Sequence, residues 1–190
     1  MKKIFVITYQ PKAKSDKEAY FNEFITASTD AGNNVRILNI NDIDVDYLKF
    51  NDNLPEETLS KELKEAQDNI LWADQIVLSY SVWCMNIPAK LKSFIERIFQ
   101  GGVLAKSGKM GPEPILENKT LVIIQSYGMP YLFMKYIFGD LPFKFLKVVF
   151  DKWCGFKIVK RIDIDLIDNI NDKRHQKLIN EIRKFALQNK

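Results

Sequence analysis

The stretch Ile76-Val77-Leu78-Ser79-Tyr80-Ser81-Val82-Trp83-Cys84-Met85-Asn86-Ile87-Pro88-Ala89-Lys90-Leu91-Lys92-Ser93-Phe94-Ile95 carries three patterns in succession. Ile76-Val77-Leu78 is a continuous β-branched and apolar run, as expected of a strand buried on both faces. Ser81 to Pro88 is a loop that holds Trp, Cys and Met where solvent should be. Pro88 fits the first turn of a helix, and Leu91, Phe94, Ile95, Ile98 and Phe99 give that helix one apolar stripe. Gly101-Gly102 ends it.

Working outward, the same alternation repeats. Ile4-Phe5-Val6-Ile7 reads as the first strand, and Tyr20, Phe21, Phe24, Ile25 and Ser28 recur at helical spacing up to Gly32-Asn33. Val35 to Ile40 is the second strand. A polar connection through Asp42 to Pro55 leads to a helix marked by Leu59, Leu63, Ala66, Ile70 and Leu71. Leu121 to Ile124 and Phe156 to Val159 are the fourth and fifth strands, separated by an aromatic segment that is at least partly helical. Leu178, Ile179, Ile182, Phe185 and Ala186 form a closing helix. Strands alternating with helices imply a doubly wound α/β fold, its parallel sheet covered on both faces. No linker or internal repeat interrupts residues 1–190, which read as one domain.

Composition narrows the chemistry. The 190 residues are 46% hydrophobic and 27% charged, which sets aside disorder and coiled coil. With two Cys (Cys84 and Cys154) and one His, neither a disulfide scaffold nor a tetrahedral zinc site is expected, and a reducing compartment fits. Ser-His-Asp or Cys-His chemistry would have to run through His175, which sits among Lys173, Arg174, Gln176 and Lys177 as a solvated surface residue. An enzyme built this way would leave its chemistry to a cofactor. The net charge of +4 comes from scattered lysines and gives no nucleic-acid footprint. No export signal and no membrane-length apolar run is visible, so the chain reads as cytoplasmic.

In an open α/β sheet, ligands bind beyond the carboxyl ends of the strands. Three loops lie there. The first, Thr8 to Lys17, leads into a helix whose N-terminus favours a phosphate; Ser15 could cap it, with Lys12, Lys14 and Lys17 adding charge. An ordinary helix cap with surface lysines fits as well, and neither G-x-G-x-x-G nor a Walker A loop is present. The second loop, Ser81 to Pro88, suits stacking of a planar ring, but equally a hydrophobic plug or half of a dimer interface. In the third, Gln125 to Tyr131, Gly128 allows close backbone approach and Tyr127 or Tyr131 can stack. From Tyr127 to Trp153 run nine aromatic residues, more than one covering helix needs. A subunit interface contributing to a pocket is the favoured reading of that excess.

Together these blocks resemble the flavodoxin-like NAD(P)H:quinone oxidoreductase family. The most specific block is Tyr80 to Phe99, with its aromatic loop followed by Pro88-Ala89, Leu91-Lys92, Phe94 and Glu96-Arg97-Ile98-Phe99. Gln100-Gly101-Gly102, Gly111-Pro112, Trp72-Ala73-Asp74 and Trp153-Cys154-Gly155-Phe156 match family positions in the same order. The resemblance implies a single flavodoxin-like five-stranded sheet of order 2-1-3-4-5. It further implies bound FMN (FAD as the alternative), hydride taken from NAD(P)H and passed to a quinone, azo or nitroaromatic acceptor, and a homodimer. Carried over by position, Gln10, Ser15, Asp16 and Lys17 would surround the flavin phosphate. Ser81, Val82, Trp83, Cys84, Met85 and Asn86 would line the ring, and Ser126, Tyr127 and Gly128 would close its other edge. No side chain is implied as a catalyst, with Tyr131 the nearest candidate. The first loop departs from the family's His-Pro…Ser-x-Asn, and the third keeps one Gly of the usual pair. A second implied role is a flavodoxin-like regulatory or electron-transfer partner, such as an ancillary subunit of a potassium-efflux system. The +4 charge argues against a one-electron carrier, which is usually acidic.

Overall fold

The computed structural model describes residues 1–10, 16–48 and 59–189, with the backbone alone at 16–18 and 101. Its elements in chain order are β1 (Lys3–Tyr9), α1 (Asp16–Asp30), β2 (Asn34–Asn39), α2 (Lys61–Trp72), β3 (Gln75–Ser81), α3 (Ala89–Ile98), β4 (Ala105–Gly108), β5 (Gly111–Pro114), β6 (Thr120–Tyr127), α4 (Leu141–Leu146), β7 (Lys157–Asp165) and α5 (Asp172–Gln188). Five strands form one parallel sheet in the order β2-β1-β3-β6-β7, which is 2-1-3-4-5 when only its own strands are counted.

The apolar runs explain the two layers. Side chains alternate across a strand, so Phe5, Ile7, Ile76, Leu78, Leu121 and Ile123 feed one core while Ile4, Val6, Val77, Val122 and Ile124 feed the other. Leu63 and Ile70 of α2 and Leu91, Phe94 and Ile98 of α3 fill the first core. Tyr20 and Phe24 of α1 and Ile182 and Ala186 of α5 fill the second. Each large apolar side chain removed from water contributes about 2 kcal/mol. Local caps fix where helices begin. Ser60 Oγ accepts from the Leu63 N–H at 3.3 Å, and Asn171 Oδ1 from that of Arg174 at 3.0 Å. The two ends of the chain meet beneath the sheet, where Lys2 Nζ donates to Asn189 Oδ1 at 2.7 Å.

Four details differ from the sequence reading. Pro88 caps α3 from outside, with ψ 147°, and the helix starts at Ala89. The last strand runs on to Asp165 because Ile162 and Ile164 alternate with Arg161, Asp163 and Asp165, the pattern of an edge strand rather than a buried one. The glycine-containing connection is a two-stranded antiparallel arm, β4–β5, with Lys106 opposite Glu113. His175 is half-buried and bonded through Nδ1 to the hydroxyl of Tyr20 at 2.8 Å. The aromatic segment between β6 and β7 is helical as expected, but α4 is flanked by wider turns at Phe133–Ile137 and Lys147–Trp153, where Phe138 N–H bonds back to the Phe133 carbonyl.

Candidate functional site

Three strand ends converge at the carboxyl edge of the sheet. Ser81 of β3 lies level with Ser126 of β6, and their hydroxyls are 2.9 Å apart. Gln10, one residue past β1, crosses over β3: its amide N–H donates to Ser79 Oγ at 3.3 Å and its Oε1 accepts from Ser81 Oγ at 2.8 Å. A hydroxyl has one proton to give, so Ser126 donates to Ser81. Gln10 is further held through its carbonyl by Asn41 Nδ2 at 2.6 Å. The result is a rigid polar floor of buried Gln10, Ser79, Ser81 and Ser126. Thr8 Oγ1, buried near the end of β1, has no hydrogen-bond partner among the described residues.

The loop after β3 is a tight turn. Trp83 N–H bonds to the Asn86 carbonyl at 2.9 Å and Asn86 N–H returns to the Trp83 carbonyl at 2.8 Å. Between them Cys84 and Met85 both sit in left-handed backbone, with φ 46° and 60°. Such a turn ordinarily takes Asn or Gly at both positions, and left-handed backbone costs a residue with a side chain about 1 kcal/mol. Strain of this kind persists where a particular backbone course is required. The two central N–H groups take no part in the turn's own bonds. Asn86 Oδ1 accepts from the Ile87 N–H at 2.8 Å, which turns the chain into α3. The Trp83 ring stands 61% exposed beside the floor.

The opposite wall comes from the end of β6 and from a loop that the sequence reading did not include. Tyr127 is buried, and its hydroxyl donates to Asp163 Oδ1 at 3.1 Å. Burial, and then the Asp163 carboxylate, hold its phenol protonated far above the usual range. Past β7 the chain turns through Leu166, left-handed at φ 53°, into a short helical turn Ile167–Asn169. Leu166 N–H reaches the Met129 carbonyl at 3.4 Å, which brings Ile167 and Asp168 against the third loop. A Cβ on Gly128 would stand 3.2 Å from Asp168 Oδ2, so the glycine permits this close approach.

Ser81, Val82, Trp83, Ser126, Tyr127, Gly128, Ile167 and Asp168 enclose a cleft of about 190 Å³, open on one side. Six of the residues expected from the sequence thus share one cleft. Cys84, Met85 and Asn86 stand in the adjoining turn, and Gln10 lies beneath in the floor. Ser15 falls outside the described residues, and of Asp16 and Lys17 only the backbone at the start of α1 is described. Tyr131 stands beside the cleft, its N–H donating to Asp165 Oδ2 at 2.8 Å.

A charged network buttresses that wall. Tyr80 Oη donates to Gln125 Oε1 at 2.6 Å, Gln125 Nε2 to Asp163 Oδ1 at 2.8 Å, and Arg161 Nη2 to the same oxygen at 2.8 Å. Arg161 also forks onto Asp140, with Nη2 to Oδ1 at 2.9 Å, and its guanidinium lies 4.2 Å over the Phe143 ring. Burial alone would loosen its proton, but the hydrogen bonds to Asp140 and Asp163 outweigh that and hold the guanidinium charged. No local sequence signal marks this network, because its members come from β3, β6, β7 and the aromatic segment.

The fold and the strand-end cleft define a doubly wound α/β protein with a cleft at the carboxyl ends of β3 and β6. The chain belongs to the family described as having the flavodoxin-like fold, which it matches over residues 2–186. It is 31% identical over 112 residues to the FMN-dependent NADH:quinone oxidoreductase of Clostridium perfringens strain SM101, covering 59% of this chain and 54% of that protein. With the protein of the same name from Saccharophagus degradans it shares 30% identity over 130 residues, 68% of this chain and 56% of the relative. The chain thus spans about half the length of the curated relatives it matches. Among solved structures it is similar to Smu.1420 from Streptococcus mutans UA159, with TM-score 0.80, 25% identity and coverage of 97% and 99% of the two chains. The FMN-dependent NADH-azoreductase from Bacillus anthracis, solved in complex with FMN, superimposes with TM-score 0.80 at 17% identity over 99% of each chain.

Proposed function

We propose that this chain is a flavin-dependent NAD(P)H oxidoreductase, with FMN as its cofactor (FAD as the alternative) and a quinone or similar aromatic compound as acceptor. The observation that carries the reading is the cleft itself. A rigid hydroxyl and amide floor, an exposed indole, and a strained turn with two spare backbone N–H groups suit a flat ring with one polar edge. The named activities of the curated relatives support it. When bound, the flavin supplies the centre that takes hydride from NAD(P)H and gives it to the acceptor.

The chain's own residues then have a binding and orienting task. Ser81, Val82, Trp83, Cys84, Met85 and Asn86 hold one edge of the ring, the indole by stacking and the turn by its N–H groups. Ser126, Tyr127 and Gly128 hold the other edge, where Gly128 lets the backbone approach. Tyr127 keeps its proton through burial and Asp163, so it acts as a wall and not as an acid. Gln10, Ser15, Asp16 and Lys17 are assigned to the phosphate, and the Thr8 hydroxyl, without a partner among the described residues, is a further donor near the end of β1. Tyr131, half-buried beneath Arg161, borders the acceptor side.

We also infer that the chain works as one domain in the cytoplasm and as a homodimer. The free thiols Cys84 and Cys154 fit a reducing compartment, and no helix among the described residues is long and apolar enough to cross a membrane. For pairing, the arm β4–β5 projects with Met110 wholly exposed near its tip. The arm itself walls a cleft of about 560 Å³ whose other side includes Phe99 and Trp153, packed edge to face. A knob and a hollow on one molecule are what a self-complementary interface needs.

Purified protein should be yellow, absorbing between about 350 and 500 nm through its flavin, and should oxidise NAD(P)H when a quinone is added. Trp83→Ala should weaken flavin affinity about tenfold, the loss of one stacking contact. Protein that is colourless and inactive with added FMN or FAD overturns the reading.

A further inference from the structure

Of the eight described residues that enclose the cleft, Asp168 alone carries a charge: Tyr127 keeps its phenolic proton and the other six do not ionise. The fold holds this carboxylate in place from both sides. β7 ends at Asp165, which accepts the Tyr131 N–H at 2.8 Å and pairs with Arg174. Leu166 then takes left-handed backbone, which disfavours any residue with a Cβ. The turn closes with Asn169 N–H on the Leu166 carbonyl at 2.8 Å. Ile167 is buried in the core shared with α1 and α5. Its neighbour Asp168 is left at the surface of the cleft, with Oδ2 lying against Gly128 and no side chain between them. Strained backbone that sets one side chain on a cleft wall points to a use for that side chain.

Most other polar groups of the cleft are already committed. Ser126 gives its proton to Ser81, and Ser81 gives its own to Gln10. The Tyr127 hydroxyl goes to Asp163. The Val82 N–H bonds to the Ser126 carbonyl at 2.8 Å, and the Trp83 N–H to that of Asn86. On the side of the turn two backbone donors remain, the N–H groups of Cys84 and Met85. On the opposite wall Asp168 offers acceptors only. A carboxylate has about four lone-pair sites, so it can serve a ligand alongside the interaction Asp168 already has within the protein.

We propose that Asp168 selects the ligand of the cleft by accepting a hydrogen bond from an N–H at the edge of its ring. The ligand class so defined is a planar ring with an imide edge, a carbonyl beside an N–H. The carbonyl suits the donors of the turn, and the N–H suits the carboxylate. The oxidised ring system of FMN has such an edge, with one N–H, at N3, between two carbonyls. The assignment rests on the oxidoreductase reading and deepens it. Stacking on Trp83 leaves a ring free to turn in its own plane, and a hydrogen bond at one edge fixes that angle.

The test is a double-mutant cycle between residue and ligand. The full chain and its Asp168→Ala and Asp168→Asn variants, freed of bound flavin, are titrated with FMN and with 3-methyl-FMN, in which a methyl group replaces the N3 proton. Quenching of flavin fluorescence reads the binding. Asp168→Ala should weaken FMN about tenfold, and Asp168→Asn, whose amide oxygen still accepts, no more than about threefold. The methyl group should cost the wild type about tenfold and Asp168→Ala nothing, because the partner it blocks is already gone. Asp168 is exposed, so the thermal midpoints without ligand should match. Losses that simply add, or a wild type that binds both flavins equally, overturn the assignment. Wild-type protein that binds FMN and oxidises NAD(P)H, while Asp168→Ala binds FMN as tightly, overturns this assignment alone. Wild-type protein that binds neither flavin overturns the oxidoreductase reading, and the assignment with it.

Discussion

Cys84 and Cys154 show how much the setting of a residue decides. Cys84 is exposed in a strained turn at the cleft, whereas Cys154 is wholly buried behind Phe150 and Phe156. Burial pushes the Cys154 thiol up to about 12. At pH 8 a thiol reagent should therefore label one cysteine per chain rapidly, and mass spectrometry should locate the label on Cys84. The second should react only as the protein unfolds. Rapid labelling of Cys154 would contradict its burial. The same shift has a sign in stability. The folded thiol keeps its proton where the unfolded one, with an ordinary value near 8.5, loses it. Its contribution is complete below that value and fades as pH rises from there toward about 12.

Among the elements, β7 and the aromatic segment are held together by one guanidinium. Arg161 and its two carboxylate partners are each less than a fifth exposed. Arg161→Met would leave Asp140 and Asp163 as uncompensated charges, at a cost of about 3 kcal/mol. Urea unfolding should show that loss, and the triple variant that also carries Asp140→Asn and Asp163→Asn should recover much of it. A loss no larger than for an exposed ion pair, under about 1 kcal/mol, would mean that the network adds little to the fold. Legibility in the sequence follows the same line. The strands β1, β3 and β6 were legible because both their faces are buried, so the apolar run itself is the signal. The later half of β7 was not, because Arg161 and Asp163 point to a polar network that only the folded chain assembles. In the site, the residues after β3 and β6 were legible from the topology rule. Ile167 and Asp168 were not, because a left-handed Leu166 gives no local cue where glycine would have given one.

At the scale of the molecule, two cores back one sheet, and the cleft sits where neither core reaches. If the cleft holds its cofactor, binding should raise stability by mass action. Free FMN at about a hundred times its dissociation constant should add about 2.7 kcal/mol and lift the thermal midpoint by roughly 5 to 10 °C for a chain of this size. No shift with FMN or FAD would leave the cleft without its proposed occupant. The contact of Lys2 with Asn189 has a consequence for how the fold can be rewired. Since these residues already touch, a short peptide joining them would close the polypeptide into a ring with almost no additional loop entropy. New ends could then be cut at the exposed tip of the arm, near Met110. Every parallel pairing of the sheet would survive, in a circular permutant that begins at what is now the middle of the chain.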